Sequence, residues 1–376
     1  MQFRDLKTQY HHLKKEIDEG ILAVLESSAF IMGKPVKELE AKLAEFAGVK
    51  HCVCCANGTD ALQLMLMAWG IGEGDAVFTS DFTYFASAGT SSILGATPVF
   101  VDIDINTFNM CHQNLEVQIQ RVIDEGKLTP KVIIPVDLFG QPADYDNIMP
   151  IAKKYGLKVL CDGAQGFGGS IRGKNVGSFG DASTTSFFPA KPLGCYGDGG
   201  AIFTNDDSVD ELLRSLQCQG RSPEDKYDNR SIGMNSRLDT LQAAILIPKL
   251  KAFIEHEIDD VNKVADKYTK ALKDYVITPT VKDGFVSSWA QYTVRLKDSD
   301  ERNALSAFLK EKGIPNMIYY PRGLHAQTAY KDRQLSDCMY PNTVQAAQTV
   351  LSLPMHPYLT DEDINEVCKN IIEFLK

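Results

Sequence analysis

No run of 18 or more apolar residues occurs in this 376-residue chain, so no stretch of it reads as a membrane-spanning helix. Positive charge is in deficit. Against 49 aspartates and glutamates stand 39 lysines and arginines, a formal charge of -10 that offers no global field for nucleic acid or an anionic membrane. The opening Met1-Gln2-Phe3-Arg4-Asp5 lacks an apolar signal core, and a cytoplasmic location is the expectation. An even cysteine framework is missing too: nine scattered cysteines fit free thiols in a reducing compartment. In the one cluster, a strand would put Cys52 and Cys54 on one face and turn Cys55 away, and no second pair completes a zinc-ligand spacing. The seven histidines form no H-E-x-x-H, so no metal is expected. With 44% apolar and 23% charged residues, the chain is an ordinary globular one, long enough for two domains.

Apolar residues at three- and four-residue spacing predict amphipathic helices over Leu6 to Leu25 and Val36 to Phe46. Short strands and helices then alternate as far as Cys161, the signature of a largely parallel sheet covered by helices. Gly168 to Asn175 nearly spells a P-loop. Asn175 replaces the Ser/Thr that would hold magnesium, and no helix follows, so a glycine-rich turn between short strands is predicted. Beyond the strand Ala201 to Thr204, helices are expected at Val209 to Gln217 and Leu238 to Phe253. A large α/β domain over 1–250 and a small α+β domain over 251–376 follow, the latter with strands at Ala290 to Leu296 and Asn316 to Tyr320.

Three places in this framework carry chemistry. Strand His51 to Ala56, then Asn57-Gly58-Thr59-Asp60, then a helical run is an arrangement in which free N–H groups at a helix start favour an anion. Asn-Gly also marks hairpin turns, but the helical composition that follows favours the anion site. Asp162 closes the strand Lys158 to Cys161, where open α/β sheets bind ligands, although an aspartate there also serves as a turn or cap. Lys191 stands in the loop Ser186 to Gly200. Pro189 and Pro192 stiffen this loop, and Phe187, Phe188, Leu193 and Tyr196 surround the amine with apolar groups that lower its pKa and free it to attack a carbonyl. Pyridoxal 5'-phosphate needs all three: donors for its phosphate, an amine for its aldehyde and a carboxylate for its ring nitrogen.

At these residues the chain resembles the DegT/DnrJ/EryC1/StrS family of sugar aminotransferases, which have the aspartate-aminotransferase architecture, fold type I. The segments carrying the likeness are Ala56 to Leu62, Ser186 to Gly200, Asn235 to Ala244 and Leu351 to Tyr358. The resemblance implies that Gly58, Thr59 and Ser186 bind the cofactor phosphate and that Tyr84 stacks on its ring. It also implies that Asp162 pairs with the ring nitrogen, Gln165 bonds the ring hydroxyl and Lys191 bonds the aldehyde. Asn235 would reach the phosphate of a second subunit, implying a homodimer with shared sites. Without the family, Tyr84 reads as a core aromatic and Asn235 as a helix cap.

The loop around Lys191 and the segment Asn235 to Thr240 look most like enzymes that aminate carbon 3 of a UDP-3-keto-N-acetylglucosaminuronic acid, with L-glutamate as donor. Tyr319-Tyr320-Pro321 departs from their histidine-tyrosine pair, which keeps a neutral keto hexose and C4 amination open. Arg237 and Arg322 are candidate contacts for diphosphate or carboxylate. A sugar dehydratase on the same fold would replace the lysine with histidine, and a non-catalytic cofactor-binding regulator would not need the intact Lys191, Asp162 and Gln165 set.

Overall fold

The computed structural model describes residues 1–225 and 227–376. Two helices lead in, α1 (Leu6–Ser27) and α2 (Lys34–Ala47). Strands and helices then alternate: β1 (His51–Cys55), α3 (Gly58–Ala68), β2 (Asp75–Ser80), α4 (Ala86–Ile93), β3 (Thr97–Val101), α5 (His112–Glu125), β4 (Thr129–Ile134), α6 (Tyr145–Tyr155) and β5 (Lys158–Asp162). After the short hairpin β6 (Ser170–Ile171) and β7 (Lys174–Asn175) come β8 (Ala182–Ser186) and β9 (Gly200–Thr204). Seven strands form one sheet in the order β1-β9-β8-β5-β4-β2-β3. Pairing is parallel from β3 to β8, and β9 runs antiparallel to both β8 and β1. Six strands therefore point the same way, and β9 alone is reversed.

Helices cover both faces, so the strands are buried on both sides. Val53, Cys55, Val132, Leu160 and Ile202 pack with α3 on one face, while Cys52, Cys54, Ala201 and Phe203 pack with α2 on the other. All nine cysteines are free. Among the described residues no cluster could hold a metal ion and no helix is long and apolar enough to cross a membrane.

Strand β8 is one that the sequence conceals. Ala-Ser-Thr-Thr-Ser looks like a loop, yet its hydroxyls are buried because they turn back on the neighbouring strand: Thr184 Oγ1 donates to the Cys161 carbonyl at 3.4 Å and Thr185 Oγ1 to that of Gly163 at 3.3 Å. Satisfied hydroxyls remove most of the cost of burying such residues.

Beyond α7 (Asp207–Leu216), α8 (Thr240–Ala252) passes through a π turn at Phe253–Glu257 into α9 (Ile258–Leu272). The π turn joins the two helices without a break, and α9 carries its own helical apolar spacing at Val261, Val264, Tyr268 and Leu272. The division expected at residue 250 falls inside this rod. Its second half packs Val261, Val264, Tyr268 and Leu272 onto the C-terminal core with α10 (Ser299–Glu311), α12 (Asp361–Leu375) and the antiparallel pair β11 (Tyr292–Arg295) and β12 (Val350–Leu353). The short β10 (Phe285–Val286) pairs with β6, and α11 (Pro341–Thr349) leads into β12. The strand expected at Asn316 to Tyr320 does not form; a single bridge joins Met317 to Ser352. Asn316 instead turns its amide inward, accepting from Ser306 Oγ at 2.6 Å and donating to the Ser306 carbonyl at 3.1 Å, and the segment lies between Pro315 and Pro321.

Candidate active site

Because β1, β2, β5 and β8 are parallel, Asn57, Asp81, Asp162 and Ser186 emerge along one edge of the sheet. The reversed strand β9 starts at that edge, so the β8–β9 connection, residues 187–199, lies over it and brings Lys191 above the strand ends. Three backbones crowd at its β1 end. A Cβ on Gly58 would sit 2.6 Å from Ser186 Cβ, and one on Gly200 would sit 2.5 Å from the Asn57 carbonyl. Neither space exists for a side chain. Asn57 caps α3 by accepting from the Asp60 amide at 2.8 Å, so the first amides of α3, Gly58 and Thr59 among them, open beside the Ser186 hydroxyl. A cup of this kind favours an anion through backbone dipoles alone.

Asp162 is buried. Its Oδ2 accepts from Ser87 Oγ at 2.8 Å and its Oδ1 from the Ala164 amide at 3.2 Å. Burial raises its pKa above the usual carboxylate value, against the pull of Ser87, Ala164 and the Lys191 charge. Lys191 is half-buried. Its pKa is lowered by burial first; Asp162 opposes that shift and Arg4 adds to it. Carboxylate and amine thus sense one another across one pocket, each pushed toward its neutral form.

Gln165 joins the two domains: its Oε1 accepts from the Phe139 amide at 2.8 Å, and its Nε2 donates to Tyr320 Oη at 3.0 Å. Tyr320 also packs edge-on against Phe82, ring centres 5.8 Å apart, and feels the Tyr84 hydroxyl. Tyr84 is 59% exposed and so is not a core aromatic. Tyr319 is half-buried, with the Phe3 ring edge-on at 6.3 Å. Arg237 Nη2 donates to Asn235 Oδ1 at 2.5 Å; Arg237 is half-buried and Asn235 exposed. Among the described residues Asn235 makes no hydrogen bond to the Gly58–Ser186 cup of its own chain. Arg322 is exposed and forms no ion pair among the described residues.

Two contributors escape motif reasoning. Ser87 lies one helical turn past Tyr84 in a run of small residues, and only the fold brings its hydroxyl to Asp162. Arg4, in a segment read for its missing signal core, donates to the Pro192 carbonyl next to Lys191 at 3.0 Å.

Pyridoxal phosphate fits these residues. The cup that admits no Cβ offers amides and a hydroxyl to a phosphate, the half-buried amine suits an aldehyde, and the buried, singly hydrogen-bonded Oδ2 side of Asp162 suits a protonated ring nitrogen.

Residues 11–372 match the DegT/DnrJ/EryC1/StrS aminotransferase family. The chain is 48% identical over 371 residues, 98% of both chains, to a UDP-2-acetamido-2-deoxy-3-oxo-D-glucuronate aminotransferase of Pseudomonas aeruginosa. It is 44% identical to a pleiotropic regulatory protein of Geobacillus stearothermophilus, covering 99% of this chain and 98% of the relative. A solved DegT DnrJ EryC1 StrS aminotransferase from Brucella abortus superposes with a TM-score of 0.96 at 46% identity, covering 100% of this chain and 99% of that one. DesV of S. venezuelae, solved with a ketimine intermediate, gives 0.94 at 33%, covering 100% and 98%. The chain therefore belongs to the DegT/DnrJ/EryC1/StrS aminotransferase family, as a pyridoxal-phosphate-dependent nucleotide-sugar aminotransferase of fold type I.

Proposed function

We propose that the protein transfers the amino group of L-glutamate to carbon 3 of a UDP-3-keto-N-acetylglucosaminuronic acid, in the biosynthesis of a surface polysaccharide or other glycan, as a homodimer. The observation that carries transamination is that the Lys191 amine and the Asp162 carboxylate lie within electrostatic reach of one another at the sheet edge that also holds the Gly58–Ser186 cup. Pyridoxal phosphate, when bound, supplies an aldehyde that condenses with amines and a ring that accepts electrons. Gly58, Thr59 and Ser186 hold its phosphate. Tyr84 covers one face of the ring, and Asp162, oriented by Ser87, keeps a proton on the ring nitrogen. Lys191 Nζ takes the proton from the α carbon of glutamate and later gives one to carbon 3 of the sugar. Burial lowers its pKa, which favours the neutral amine that a base requires.

The choice of sugar rests on the P. aeruginosa relative and on Arg237, a half-buried cation beside Asn235. A uronic carboxylate taken out of water needs such a partner; Tyr320, whose oxygen accepts from Gln165, has only one neutral O–H left to offer and cannot balance the charge. A neutral UDP-3-keto-N-acetylglucosamine is the second reading. It is favoured by the tyrosine pair at 319–320 and by a 39% identical Acidithiobacillus ferrooxidans relative named UDP-N-acetyl-3-dehydro-alpha-D-glucosamine 3-aminotransferase. The likeness to a pleiotropic regulatory protein suggests a cofactor-binding regulator, which the complete Lys191, Asp162 and Gln165 set disfavours. The test is kcat/KM for both sugars with wild type and Arg237→Ala. Arg237→Ala should lower the value for the acid by about 10²-fold more than for the neutral sugar. Equal losses would remove the acid from consideration.

A further inference from the structure

The N-terminal strap crosses behind the Lys191 loop. It is anchored on both sides: the Phe3 carbonyl accepts from the Met355 amide at 3.1 Å, and Asp5 caps α1 by accepting from the Thr8 amide at 2.9 Å and the Thr8 hydroxyl at 2.7 Å. Between these anchors Arg4 Nη2 donates to the Pro192 carbonyl at 3.0 Å. Arg4 Nη1 is buried and has no hydrogen-bond partner, and no carboxylate among the described residues lies within ion-pair distance of this guanidinium. Glu257, whose charge acts on Arg4, has its Oε1 engaged elsewhere, accepting from Gln9 Nε2 at 2.8 Å and from Tyr358 Oη at 2.6 Å.

We propose that Arg4 is a positioning residue for Lys191, fixing its loop through the Pro192 carbonyl and setting a positive charge near its amine. This rests on the assignment of Lys191 as the lysine that bonds the cofactor. The charged groups facing Lys191 are Asp162 from β5 and Arg4 from the strap. Those around Arg4 are Glu257, Lys249, Tyr358 and His356. Burial lowers Arg4 itself to about 10, with Glu257 and Tyr358 opposing, so it remains a cation at neutral pH. Burial and Arg4 hold His356 near 4, leaving it uncharged, and burial holds Lys249 near 8. The Asp162 charge favours a proton on Lys191; burial opposes it first, and Arg4 adds to that opposition. The Leu351 to Tyr358 motif also gains a role, because Met355 is what pins the strap in place.

The experiment is a spectrophotometric pH titration of the full-length, cofactor-loaded protein, following the pH-dependent visible band of the bound cofactor. Arg4→Gln keeps a donor for Pro192 and removes the charge, whereas Arg4→Lys keeps the charge; Arg4→Met is a second neutral variant should the glutamine fold poorly. The midpoint should rise by about one pH unit in the neutral variants and stay near the wild-type value in Arg4→Lys. An unchanged midpoint in Arg4→Gln or Arg4→Met would overturn the role of Arg4. If Lys191→Ala gave the same pH-dependent band as wild type, the assignment of Lys191 would fail instead, whatever the Arg4 variants did.

Discussion

Asp162 is 5% exposed and held by Ser87 and Ala164, whereas Asn235 and Arg322 stand in the open, and Arg237 leans only on Asn235. Asp162, Gln165 and the Gly58–Ser186 cup are fixed by their own chain before any ligand arrives. Asn235, Arg237 and Arg322 are held loosely or not at all. Preorganised charges do more for chemistry than mobile ones because no reorganisation is needed during reaction. Exposed donors suit recognition, where a ligand or a second subunit completes the contacts.

The largest test of this contrast is on the buried side. Lys191→Ala should cost at least about 10³-fold in single-turnover amination, since it removes both the bond to the cofactor and the proton carrier. Asp162→Asn should still bind cofactor and react about 10²-fold more slowly or worse, the ring no longer held protonated. Near-normal turnover in either would break the comparison at its firm end.

Gly58→Ala should be next. Its Cβ would stand 2.6 Å from Ser186 Cβ, a contact that neither backbone can relieve cheaply, so the cup must open. Cofactor affinity should fall about tenfold or more by equilibrium dialysis, with the protein still folded. Unchanged affinity would mean that the phosphate lies elsewhere.

Asn235→Ala sharpens the other end. If this exposed side chain completes the neighbouring subunit's cup, its loss should weaken cofactor binding severalfold and make the dimer easier to dissociate when cofactor is removed. A monomer that holds cofactor as tightly as the dimer would refute the shared site.

The smallest expected effect concerns the loop that carries Tyr320 and Arg322. Its far end is clamped to the large domain by His325, whose Nδ1 meets Asp81 Oδ2 at 2.5 Å while Nε2 meets Asp337 Oδ1 at 2.9 Å. Burial works to lower the imidazole pKa, but the two carboxylates outweigh it and raise it. A raised folded-state pKa stabilises fully below the unfolded value of about 6.5 and is lost as pH rises through the folded value. His325→Gln should therefore lower Tm by about 2–5 °C at pH 6, with the gap closing at alkaline pH. A gap independent of pH would make the histidine a packing residue alone.

Much of this site was written in local sequence. Asn57-Gly58, the strand-ending Asp162 and the proline-flanked Lys191 are each recognisable because the chemistry depends on neighbours a few residues apart. The hydroxyl-rich β8 and the segment 316–320 were not legible. Their state depends on what they meet: the Cys161 and Gly163 carbonyls and the Ser306 pocket. Local sequence by itself determined a largely parallel sheet covered by helices and singled out Gly58, Asp162 and Lys191 as candidates, with the resemblance adding fold type I and their roles. Tertiary structure alone decided which groups tune them. Ser87 reaches Asp162 across 75 residues of sequence and Arg4 reaches Pro192 across 188. Such contacts leave no periodic or motif signal, since they are selected by distance in space after the reversed strand β9 has folded the lysine loop back over the sheet edge.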